Sequence, residues 1–195
     1  MVKEALNNHP ELKTRNTEII LQGSFKNNTN IKRDSDIDIT IRLKDVFYGE
    51  YPPGYDRSQY GFTAGSYTSL EFKNTVEKAL RDKFGVSEVI RGKKAFLINS
   101  NSYRVKADVV AAIEHRRYYD PPTVTNPRYH SGAEFWSDDG IRFINWPIQH
   151  HENGVKKNKD TSKSFKRCVR IFKNLRNKMT EERISSADNF PSFLI

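Results

Sequence analysis

Cysteine is nearly absent: Cys168 is the single one in 195 residues. One thiol excludes an internal disulfide and any zinc site built on several cysteines, and it suits a reducing compartment. Long apolar runs are missing too. No stretch approaches the roughly 20 residues of a membrane-spanning helix. The opening residues, Met1-Val2-Lys3-Glu4-Ala5-Leu6, lack the apolar segment of a secretory signal. A cytoplasmic protein without membrane contact is expected. No internal repeat or low-complexity segment is visible, and the length suits one domain with a core that needs no metal or disulfide. Acidic residues are the scarcer sign, 24 Asp plus Glu against 33 Lys plus Arg, for a net charge of +9. A basic chain of this size usually meets an anion, such as nucleic acid or nucleotide phosphates. The excess is concentrated: ten of the Lys and Arg residues lie between Lys156 and Lys178, where Asp160 is the one acid.

The pattern of elements predicts an α+β domain, a mixed or mostly antiparallel sheet packed against helices on one side. Residues 2–8 read as a short helix stopped before Pro10. Glu18 to Leu21 reads as a strand, broken by Gly23-Ser24. In Ile37 to Leu43 the apolar residues Ile37, Ile39, Ile41 and Leu43 alternate with polar ones, which predicts a half-buried strand. Residues 48–67 hold five tyrosines among glycines and prolines and read as a long loop. Thr68 and Glu71 form a capping box for a helix with Leu70, Val76, Ala79, Leu80 and Phe84 on its buried face and Gly85 as its stop. Val86 to Ile90, Ala95 to Ile98 and Tyr103 to Ile113 read as strands, the last two as a hairpin around residues 99–102. Residues 120–160 read as irregular. A basic helix is expected from about Asp160 to Met179, with Phe165, Cys168, Val169, Phe172, Leu175 and Met179 as a buried stripe. Cys168 then reads as core filler.

Chemistry concentrates in Gln22-Gly23-Ser24 and in Ser35-Asp36-Ile37-Asp38-Ile39. Residues two apart on a strand share a face, so Asp36 and Asp38 present two carboxylates together while Ile37 and Ile39 enter the core. A bare Asp-x-Asp is also what an exposed edge strand carries. Two adjacent carboxylates repel and raise each other's pKa, and a hard divalent cation resolves the conflict. Mg2+ prefers such oxygens and completes its shell with water and substrate phosphates. Gly23 lets the backbone approach a phosphate, and the Ser24 hydroxyl can hydrogen-bond to it. A third carboxylate is expected on a neighbouring strand. Asp108 fits, since it stands opposite Val105, Ala107 and Val109 in alternation. Three carboxylates can hold two metal ions that activate a hydroxyl and stabilise leaving pyrophosphate. The exposed face of the basic helix can neutralise a triphosphate.

Gly23-Ser24 followed by Asp36-Ile37-Asp38, with a later Asp108, resembles the signature of the polymerase-β-like nucleotidyltransferase superfamily. The fuller form, Gln-Gly-Ser-Phe through Ser-Asp-Ile-Asp-Ile, is most similar to the bacterial cGAS-like enzymes, the CD-NTases. That resemblance implies synthesis of cyclic di- or oligonucleotide second messengers for antiphage defence. It implies that Asp36, Asp38 and Asp108 bind Mg2+, with Mn2+ as an alternative, and that Asp108 assists deprotonation of the attacking hydroxyl. It implies that Gln22, Gly23, Ser24 and Lys173 hold the donor triphosphate. NTPs, ATP among them with GTP and pyrimidine NTPs as further candidates, are the implied substrates. A downstream effector protein binding the product is the implied partner, with nucleic acid not required. Residues 1–180 are expected to form the catalytic core. Residues 181–195, with Pro191-Ser192-Phe193-Leu194-Ile195, resemble the start of a helical lobe that is mostly missing.

Two other readings stay open. One is a nucleotidyltransferase acting on RNA ends, a protein or a small molecule. The other is a nucleic-acid-binding module that keeps the fold without turnover. His115, His150 and His151, with Glu114 and Glu152, are expected to be structural or exposed and not a metal site. Trp136 and Trp146 are expected to serve packing, and Asn153-Gly154 reads as a turn.

Overall fold

The computed structural model describes residues 1–31 and 36–187. Ser35 of the acidic motif and the expected lobe start at 191–195 lie outside the described residues. The elements are α1 (Val2–Asn8), β1 (Thr17–Gln22), α2 (Gly23–Lys26), β2 (Ile37–Glu50), α3 (Ser69–Phe84), β3 (Val89–Arg91), β4 (Phe96–Ile98) and β5 (Ala107–Tyr118), followed by β6 (Tyr129–Trp136), β7 (Arg142–Asn145), α4 (Pro147–Asp160) and α5 (Ser164–Glu181).

The described strands form one mixed sheet in the order β1-β2-β5-β4-β3. β2 and β5 are parallel and central, and the other pairings are antiparallel. β5 is long enough to take two partners on its second edge. β4 pairs with Ala107–Val109 and β6 with Ile113–Tyr118. A parallel pair needs a crossover, and α3 with the β3–β4 hairpin supplies it.

Alternation then divides the faces. Ile39, Ile41 and Leu43 of β2, with Val109, Ala111 and Ile113 of β5, form the main core with Phe72, Val76, Ala79 and Leu80 of α3. Ala5 and Leu6 of α1 close it. α3 begins at the expected capping box: Thr68 Oγ1 accepts from Glu71 N, and Glu71 Oε2 accepts from Thr68 N at 2.7 Å. Thr68→Ala removes one cap donor–acceptor pair and is expected to cost about 1 kcal/mol, read as a lower urea midpoint at unchanged slope.

Several expectations change. Residues 120–160 are not irregular, since they hold β6, β7 and α4. Pro147 opens α4 at its first turn, where a missing N–H costs nothing, and Asn153-Gly154 lies inside that helix and is no turn. Residues 86–88 form a 3-10 turn, so β3 starts at Val89. β2 runs on to Glu50, with an irregularity in its pairing between Leu43 and Phe47. Leu70 is exposed, and Phe72 and Lys73 take the buried side of α3 instead. Lys73 is accommodated because its Nζ donates to Asp138 Oδ1 at 2.7 Å and to Lys93 O at 2.9 Å.

The expected basic helix is α5, starting at Ser164 instead of about Asp160, because Ser162 and Lys163, both with positive φ, part it from α4. Its expected buried stripe is buried only in part: Val169 is buried, Phe165 and Met179 are half-buried, and the other three are exposed. Phe172 and Leu175 are 52% and 49% exposed, and Cys168 is exposed as well, so it is not core filler. The side of α5 that faces inward carries Val169 and Lys173, one turn apart. Because Lys173 acts on Asp38, α5 lies over the sheet face opposite α3. Helices therefore cover both faces.

Candidate active site

The sheet register brings two of the three expected acids together. Asp38 and Asp108, seventy residues apart, are direct partners on the parallel pair β2–β5. Ile37 and Ile39 flank Asp38 and turn to the α3 side, so Asp38 turns to the α5 side. Asp108, between the buried Ala107 and Val109, does the same. Asp36 stands two residues before Asp38, just ahead of β2, where Ile37 N donates to Lys106 O at 3.0 Å. Its carboxylate is engaged: Lys106 Nζ donates to Asp36 Oδ2 at 2.7 Å.

Gly23 is pressed against this rung from β1. Gln22 pairs with Asp38, and the chain then turns into α2 with Gly23 at φ +66°. A Cβ at Gly23 would lie 1.8 Å from Asp38 Oδ2, so glycine is required here on both counts. Ser24 follows at once, and its carbonyl accepts from Thr29 N at 2.9 Å, which closes the turn. The cavity beside Gln22 and Gly23, about 390 Å3, is also lined by Asn145, Trp146 and His150.

The electrostatics match the crowding. Burial first, then the charges of Asp108 and Asp36, push the Asp38 carboxyl above its ordinary range, while Lys173 pulls it down. Lys173 is only 5% exposed, and its charge reaches Asp38. The Asp36 contact and the nearby Asp108 charge hold the Lys106 ammonium above its usual value.

Carboxylate oxygens packed this closely form the donor set that a hard divalent cation prefers. Among the described residues no three metal-ligating side chains converge into a ready-made cage. Asp38 and Asp108 are in place, and Asp36 is turned onto Lys106. Lys106 is the site residue that the sequence reading missed. Its signal was its place two residues before Asp108, hence on the same face.

The other candidates are accounted for by packing. His115 is fully buried on the α3 side, its Nδ1 2.6 Å from Glu134 Oε2, and Arg142 holds that carboxylate below its usual range together with His115. Glu114 accepts from Arg116 and Ser131. Trp136 packs edge-on to Tyr48, and Trp146 edge-on to His115. His151 Nδ1 lies 3.0 Å from Asn27 Oδ1, beside the glycine turn.

The profile of the nucleotidyltransferase domain matches residues 2–119, and that of the cGAS/DncV-like nucleotidyltransferase C-terminal helical domain matches residues 152–195. The chain belongs to the nucleotidyltransferase family, on its cGAS-like bacterial branch, the CD-NTases. It is 42% identical, over 195 residues, to the cyclic dipyrimidine nucleotide synthase CdnE of Cecembia lonarensis, covering 100% of this chain and 64% of that protein. A protein of the same description from Legionella pneumophila is 41% identical over 197 residues, with coverage of 100% and 66%. The structure of the Rhodothermus marinus CdnE c-UMP-AMP synthase with Apcpp and Upnpp has a TM-score of 0.84 at 34% identity, over 98% of this chain and 64% of that one. This chain thus spans just under two thirds of the length of these relatives. Nucleotidyltransferases of this kind generally use a divalent metal. No helix among the described residues is long and apolar enough to cross a membrane.

Proposed function

We propose that the intact protein is a Mg2+-dependent nucleotidyltransferase that joins nucleoside triphosphates into cyclic di- or oligonucleotide second messengers. The observation that carries this reading is the Asp38–Asp108 rung with the Gly23 backbone packed against it. Relatives described as cyclic nucleotide synthases, one of them solved with nucleotide analogues, support the product class. A cytoplasmic site of action is part of the proposal, supported by the single cysteine. A downstream effector that reads the product completes the proposal.

Asp36, Asp38 and Asp108 are the residues that would hold Mg2+, or Mn2+ in its place. The bound ions would supply charge neutralisation at the reacting phosphate and a lowered pKa for the attacking hydroxyl. The chain's own groups do the rest. The backbone at Gln22 and Gly23, with the Ser24 hydroxyl, holds the donor triphosphate. Lys173 offsets the negative charge gathered at Asp38. Asp108 accepts a hydrogen bond from the acceptor's 3′- or 2′-hydroxyl and orients it. The hydroxyl passes its proton to the Asp108 carboxylate as its oxygen forms a bond to the α-phosphorus, the bond to the bridging oxygen breaks in line, and pyrophosphate leaves. Positioning and charge placement account for most of the acceleration expected of such a site.

The test is product formation by the intact protein from Mg2+ and the four labelled NTPs, followed by phosphatase. A phosphatase-resistant cyclic product is expected. Label transferred instead to RNA ends or to protein would assign a different nucleotidyltransferase reaction to the same acids.

A further inference from the structure

Asp36 and Lys106 face each other at the mouth of the β2–β5 pair, one residue out from Ile37 and Ala107. Side chains alternate, so this pair points the same way as the rung of Asp38 and Asp108. The face therefore carries, in order, the Asp36–Lys106 ion pair just outside the ladder and the Asp38–Asp108 rung within it. Asp36 Oδ2 and Lys106 Nζ are 2.7 Å apart, with side chains 44% and 43% exposed. Such a half-exposed pair contributes little to stability and can part without unpacking the core. Lys173 differs in every respect. It is buried, fixed by α5, and its charge reaches Asp38.

Among the described residues, the carboxylates of Asp36, Asp38 and Asp108 thus share this end of the sheet with the ammonium groups of Lys106 and Lys173. Lys106 sits directly on a carboxylate oxygen of the kind a cation ligates. An ammonium at that oxygen and a divalent cation exclude each other, by contact and by like charge.

We propose that Lys106 is a built-in counter-ion that competes with the divalent cation for Asp36 and so delays cation uptake until a triphosphate enters. The triphosphate offers Lys106 a second anion. The ammonium leaves Asp36 for a phosphate oxygen on its flexible four-carbon stem, and Asp36 turns to the cation. Lys106 is in this sense a positioning residue: it decides when the third carboxylate joins the other two. The inference rests on the reading of the three acids as the cation site, and the test separates the two.

Mn2+ alone is titrated into the intact protein without nucleotide, with free Mn2+ followed by electron paramagnetic resonance. Lys106→Gln is expected to bind Mn2+ about tenfold more tightly than the unaltered protein, and Lys106→Arg to stay within about twofold of it. Adding a non-hydrolysable ATP analogue is expected to shrink the difference between Lys106→Gln and the unaltered protein. The proposal is overturned if Lys106→Gln binds no more tightly, or if Lys106→Arg tightens binding as much as Gln does. Asp38→Asn reports on the underlying reading. Loss of Mn2+ binding upholds it, and unchanged Mn2+ binding ends it whatever Lys106 does.

Discussion

Gly23→Ala is expected to lower nucleotide transfer by at least about a hundredfold while the protein still folds. The added methyl would lie 1.8 Å from Asp38 Oδ2 and 2.6 Å from Asp38 Cγ, so one of the two must move. The Gly23 backbone cannot easily yield, because φ is +66° and Ala tolerates that value poorly. Gln22 is paired with Asp38 on the β1–β2 ladder, which leaves the carboxylate as the softer element. The left-handed strain itself costs about 1 kcal/mol, small against a domain's usual stability. Pyrophosphate release measured beside a thermal melt separates the effects. A variant that folds and retains more than a tenth of the activity would show that Asp38 can be displaced without consequence, and its assignment as a ligand would fail.

Asp108→Asn is the second large effect. Loss of one of the carboxylates at the reacting centre is expected to reduce turnover about a thousandfold. A second signature follows from Asp38. Its carboxyl is raised by burial first and by Asp108 next, so removing the Asp108 charge lowers it. Carbon-13 NMR titration of the aspartate carboxyls is expected to show that fall. The sign for function is fixed by the same shift: a cation needs the ionised carboxylate. In the unaltered protein binding is complete above the raised value and lost as pH falls through it, sooner than for an ordinary aspartate. The sign for stability is opposite. The folded state holds the Asp38 proton more tightly than the unfolded chain, so this contribution declines as pH rises from the ordinary to the raised value. Asp108→Asn relieves that penalty and is expected to leave the protein at least as stable at neutral pH. An inactive variant that also melted much lower would point to Asp108 as a packing residue.

Much of this site was legible because strand alternation is a strict rule. Ile37, Ile39 and Ile41 fix which way Asp38 points, and Val109 does the same for Asp108. That the two strands are neighbours was a topological expectation, and the parallel register realises it rung by rung. The loop before β5 and the Lys106 partner of Asp36 were less legible, because an ion pair depends on register and not on pattern. β6 and β7 escaped notice for a related reason. Ala133 and Phe135 are buried against Ala112 in a small second cluster, and the surrounding His130, Ser131 and Gly132 mask the alternation. In α5 an apolar stripe was real as a pattern, yet burial followed Val169 and Lys173. Periodicity reports that a helix is two-sided and leaves open which neighbour decides its rotation.

The parallel pairing of β2 with β5 also bears on how the molecule is made. Antiparallel neighbours such as β3 and β4 can zip up as they leave the ribosome, whereas β2, which ends at Glu50, must wait for β5, which starts at Ala107. On the proposed reading, cation affinity would be acquired in one step, when the middle of the sheet closes. By mass action a bound divalent ion rewards only the finished topology, so metal uptake can be timed against synthesis as a clock for completion of the fold.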